Sequence, residues 1–61
     1  MAQLTTKELT AIEDQLSMEQ LAIKKYNSAA TMSKDPQIKS KCEQIAGKHQ
    51  EHYKRLLAML G

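Results

Sequence analysis

The sequence predicts an all-α fold: an antiparallel helical hairpin whose copies pair into a four-helix bundle. Three observations carry this. The 61 residues include two glycines and one proline, with no tryptophan or phenylalanine, and the remainder is rich in Ala, Leu, Lys, Gln, Glu and Met, which are strong helix formers. One stretch alone, "TMSKDPQIKS", reads as a break. On either side of it, apolar residues recur at alternating spacings of three and four.

The first helix is expected over about 7–32. Thr5 or Thr6 caps it, and Glu8 stands within reach of a capping box. Residues 33–35 form the turn. Asp35 followed by Pro36 is an N-cap with proline at the first helical position, so the second helix is expected over about 36–60. Gly47 falls inside it and costs about 1 kcal/mol relative to alanine. The whole chain, 1–61, is one helical-hairpin domain.

The first stripe runs Leu9, Ile12, Leu16, Glu19, Ile23, Tyr26, Ala30; the second runs Ile38, Cys42, Ile45, His49, His52, Leu56, Met59. Both are unbroken heptad seams. A hairpin folded about Lys34 brings together residues whose numbers sum to 68, and every layer obeys this. Ile23 then faces Ile45, Ile12 faces Leu56, Leu9 faces Met59 and Glu19 faces His49. Leu16 faces His52. Glu19, His49 and His52 form one inward polar belt, and Tyr26 with Cys42 forms a milder polar layer about 10 Å away.

A chain this short buries little of its surface alone, and small scaffolds are held by disulfides, a metal or a partner chain. Cys42 is the single cysteine, so no disulfide forms within the chain, and a lone cysteine fits a reducing compartment. A metal or self-association remains. Small flanking residues, Ala22 and Ala29 on the first helix and Ala46 on the second, favour a homodimer of hairpins. Parallel and antiparallel pairings of the hairpins both fit the stripes. Met18, Leu21 and Leu57 fall outside the seam and leave room for a further contact.

The net charge of +2 is spread along the chain, without the concentrated basic patch of a nucleic-acid binder. No apolar run reaches the ~20 residues of a membrane span. The opening "MAQLTTKELT" lacks the order of a signal peptide. The expectation is a soluble intracellular protein.

Three readings of the belt compete. It is a hydrogen-bonded layer that sets register and association state. Or Glu19, His49 and His52 are a metal-ligand set, doubled in a dimer, whose nitrogen content suits zinc, copper, nickel or cobalt better than carboxylate-bridged iron. Or Glu19, His49, Tyr26 and Cys42 assemble an acid–base or thiol site, for which no oxyanion hole or phosphate loop is evident.

The spacing Glu19-x6-Tyr26 in "EQLAIKKY" resembles the first-helix motif of ferritin-like proteins, whose second helix carries Glu-x2-His. Here His49-x2-His52 stands in that place. If His49 is the family's histidine instead, its partner is Ala46. Either alignment removes the bridging carboxylate on which ferroxidase chemistry rests. Over nearly the whole chain, "SMEQLAIKKY", "DPQIKSKC" and "KHQEHYKRLL" are similar to the small spore coat proteins of spore-forming Firmicutes, the CotF-like family. The resemblance implies a spore-associated, non-enzymatic structural or assembly protein, a short ferritin-like hairpin with other spore coat proteins as partners. The alternative it leaves is a ferritin-like transition-metal-binding protein.

Overall fold

Thr5 starts the first helix. Its backbone is extended, its hydroxyl accepts from the Glu8 backbone N–H at 3.1 Å, and its own N–H donates to Glu8 Oε1 at 2.9 Å. This is the reciprocal capping box that the threonine and glutamate spacing announces. In the computed structural model, which describes residues 3–61, helix α1 then runs Thr6–Met32. Ser33 ends it with extended dihedrals, its N–H still donating to Ala29 O at 3.0 Å.

Helix α2 spans Pro36–Ala58. Asp35 Oδ1 accepts from Gln37 N at 2.8 Å and from Ile38 N at 3.4 Å, satisfying two of the donors that a helix start orphans. The three residues between the helices are tied by the Ser33 hydroxyl, which donates to Asp35 O and accepts from Asp35 N. Asp35→Ala is expected to lose about 1 kcal/mol, a fall in Tm of roughly 4–8 °C for a domain of this size. Thermal melts followed by circular dichroism at fixed protein concentration check it.

The second helix stops two residues short of the expected Leu60. Met59 N donates to Leu56 O and Leu60 N to Leu57 O, both at 3.1 Å. These i to i−3 bonds tighten the last turn, as happens where terminal carbonyls lack intrahelical partners. The first helix begins at Thr6 rather than at residue 7.

The two helices fold back on one another in a rod of 46 × 17 × 11 Å. The register is the one that the sum of 68 predicts, since Glu19 of α1 meets His49 of α2. Gln20 Nε2 also donates to Tyr53 Oη at 3.2 Å, which ties the positions flanking the seam on one side of the hairpin. Among the described residues the buried apolar side chains are Ile12, Ala30 and Ala46. Leu16, Ile23, Ile45 and Leu56 are half-buried, whereas Leu9, Ile38 and Met59 at the ends of the seam stay exposed. Two cylinders in contact shield one strip of each other, so the apolar face is wider than the cover it receives. A Cβ added at Gly47 would meet nothing within 4 Å, so within one hairpin this glycine makes room for no neighbour.

Candidate metal centre

Glu19 lies midway along α1, at the height of His49 in α2. Helical side chains lean toward the N-terminus of their own helix. In an antiparallel pair that makes the carboxylate lean toward the level of His52 while the His52 ring leans back toward it. These leans bring His52 to one carboxylate oxygen, while His49, level with Glu19 across the seam, meets the other. His49 Nδ1 donates to Glu19 Oε1 at 2.5 Å, and His52 Nδ1 lies 3.6 Å from Glu19 Oε2. One ligand atom from each of the three residues falls within 4.8 Å of the others.

Gln15 completes the cluster, its amide donating to Glu19 Oε2 at 3.2 Å. The seams do not single it out, because it flanks them. The signal is present as a Gln–Glu pair at i and i+4, which are neighbours on a helix surface. Tyr26 also sits differently from expectation. Its ring stacks on His49 with centroids 6.0 Å apart and planes 11° apart, so it joins the belt. Tyr26 leans down α1 and His49 leans down α2, which closes the gap between their Cα heights. His52 stands edge-on to His49 at 5.8 Å. Held between two rings, the His49 imidazole keeps Nδ1 turned to the carboxylate.

Burial grades across the belt. The Glu19 side chain is 8% exposed, His49 30% and His52 51%. The expectation that both imidazoles point inward is thus corrected for His52, whose ring lies half in solvent. No second helix pair covers that edge within one hairpin.

The His49 hydrogen bond holds the Glu19 carboxyl below its ordinary range, opposed by burial and assisted by Gln15 and by the positive potential of both imidazoles. Glu8 is also lowered, by the Thr5 backbone N–H first and its hydroxyl second. A carboxyl more acidic in the folded chain than in the unfolded one stabilises the fold above its unfolded value, ordinarily 4.5, and that contribution disappears as pH falls through the lowered folded value. The urea midpoint is therefore expected to fall progressively below about pH 4.5. Glu19→Gln, which removes one of the two carboxyls, is expected to flatten that acid arm in a pH series of urea titrations.

Comparison with family models, with curated proteins and with solved structures finds no match to this chain. The donor set must therefore be judged on its own chemistry. A four-coordinate zinc with bonds of about 2.0 Å spaces its ligand atoms about 3.3 Å apart. His52 Nδ1 lies 3.6 Å from Oε2 and His49 Nδ1 2.5 Å from Oε1; with one ligand atom taken from each residue the three lie within 4.8 Å, so the side chains would have to close on an ion. One carboxylate and two imidazoles suit a borderline transition ion, with a coordination position left for water. A carboxylate-bridged pair of irons does not fit, because Glu19 is the single carboxylate in the cluster.

Proposed function

We propose that this hairpin is a non-enzymatic structural protein that holds a transition ion, zinc or copper foremost, between Glu19, His49 and His52. One observation carries the reading: a carboxylate oxygen and two imidazole nitrogens from different helices lie within 4.8 Å of one another. Two ring contacts and the Gln15 amide already fix the orientation of the ligands, which is the kind of outer support that metal-binding side chains use. Elemental analysis of untagged protein tests it. A zinc, copper, nickel, cobalt or iron content near one per chain, lost in the Glu19→Gln and His52→Ala variants, is the expected result; protein that takes up no ion from a metal-supplemented buffer refutes it.

The second reading, an assembly component of the spore coat, is supported by the quoted sequence resemblance and by the surface. A folded monomer of 6.9 kDa exposes about 4,000 Å², whereas this chain exposes 5056 Å². The excess of about 1,000 Å² is what one partner contributes to a standard interface, ~800 Å². Self-association into a homodimeric, ferritin-like four-helix unit is part of this reading. Partners among other coat proteins and a spore location follow from the resemblance.

A further inference from the structure

The belt has one covered side and one open side. At its level Gln20 Nε2 donates to Tyr53 Oη across the seam, which covers one face. His52 and Tyr53 are consecutive, so their side chains leave α2 about 100° apart and straddle the seam. His52 therefore turns toward the opposite face. Its side chain is 51% exposed, against 30% for His49 and 8% for Glu19. Gln15, which bonds Glu19 from α1, is exposed as well.

The three ligands are also held unequally. The His49 ring is stacked on Tyr26 and bonded to Glu19. His52 stands edge-on to His49, and its Nδ1, at 3.6 Å from Glu19 Oε2, is too distant for a hydrogen bond. The least restrained ligand is thus the one that faces solvent. A structural zinc site is closed by four protein ligands, whereas three leave a position open. An outside donor atom can reach such a site without any separation of the helices.

We propose that the ion is exchangeable: a chelating ligand with nitrogen or oxygen donors enters at the His52 edge and takes it while the hairpin stays folded. A donor atom of the chelator bonds to the ion and the bond to His52 Nδ1 breaks; the bonds to Glu19 and His49 break as further donors arrive. His49 Nδ1 then takes a proton from solvent and again donates to Glu19 Oε1. No oxidation state changes. The proposal rests on the metal reading above and adds the route by which the ion comes and goes.

The surroundings of His52 supply a way to test that route. Lys48 and Arg55 lie four residues before it and three after it, adjacent to it on the helix surface, and both are exposed. Reversing their charge changes the potential at this edge whatever the balance of charge around it. Lys24 and Lys39 on the Gln20–Tyr53 face serve as the control.

Zinc-loaded full chain is mixed with 4-(2-pyridylazo)resorcinol, an anionic chelator that changes colour on binding zinc. In the wild type the transfer rate is expected to rise in proportion to chelator concentration and to stay flat in urea below the unfolding transition. The double variant Lys48→Glu with Arg55→Glu is expected to slow transfer roughly tenfold. Lys24→Glu with Lys39→Glu makes the same net change on the other face and is expected to leave the rate within about twofold, because exposed charges are screened beyond about 8 Å at physiological salt. A rate independent of chelator, or one that climbs with urea because opening exposes surface, means that the ion leaves only from an opened hairpin and overturns the proposal. Equal slowing by the two double variants overturns it too. The chelator and urea dependences need no variant, so they decide the matter even where a variant fails to fold. A chain that takes up no zinc, copper, nickel, cobalt or iron at the outset refutes the metal reading itself.

Discussion

Zinc supplied at a thousand times its dissociation constant is expected to stabilise the metal-free protein by about 4 kcal/mol. In a chain of this size each kcal/mol moves Tm by roughly 4–8 °C, so the melting midpoint should rise by roughly 20 °C. The structure explains why the gain is large. The ligands are contributed by residues thirty positions apart in sequence, so the unfolded chain holds no comparable site and binding free energy becomes folding free energy. The decisive variant is His52→Ala. His52 is half exposed and sits 3.6 Å from the carboxylate, so its removal should barely move the metal-free midpoint while abolishing the zinc-induced rise. A belt that serves only as a hydrogen-bonded layer would show no rise in either protein. Occupancy must also displace the proton that His49 Nδ1 shares with Glu19 Oε1. The rise should therefore shrink as pH is lowered from about 7.5 toward 6, because protons compete for the ligand nitrogens. Melts at one fixed protein concentration are required, since association, if it occurs, makes Tm concentration-dependent.

Most of the hairpin is legible in the sequence because its signals are local or periodic. Thr5 with Glu8, and Asp35 with Pro36, announce helix starts through hydrogen bonds that span two or three residues. The heptad seams specify which strip of each helix faces the other, and the short turn at Ser33–Asp35 allows one register. That register places Glu19 against His49 before any coordinate is known. The departures have physical causes. A wheel treats each side chain as a point at the height of its Cα, whereas real side chains lean about half a turn toward the helix N-terminus. In opposed helices the leans add, and this carries Tyr26 onto His49 and away from the level assigned to it. Gln15 escapes a reading by seams because it flanks them, although it lies one turn before Glu19. The exposure of His52 has another origin: periodicity shows which face is apolar but not whether enough protein exists to cover it.

Replacing Glu19, His49 and His52 together by leucine is expected to raise the metal-free midpoint by roughly 5–10 °C. The buried carboxylate loses its hydration on folding and recovers it through one short bond to His49, one to Gln15 and a longer approach from His52. Polar groups of that kind seldom repay their desolvation as well as packed apolar side chains of similar volume. In the triple variant the leucine introduced at position 52 would lie opposite Leu16, and those introduced at positions 19 and 49 would face each other. The two apolar halves of the seam then join into one. The single Glu19→Leu variant should behave oppositely. It leaves the His49 Nδ1–H without its acceptor beside a new apolar surface, so its midpoint should fall below wild type. The three substitutions are thus strongly non-additive, as expected for residues in one hydrogen-bonded cluster. A continuous leucine seam also removes the polar layer that restricts how helices can pair, so the triple variant is expected to broaden in mass by light scattering even as its melting midpoint rises. A triple variant that melts below wild type in the absence of metal would mean that the belt's own hydrogen bonds hold the hairpin together, and the case for an ion as the reason for these three residues would lose its energetic basis.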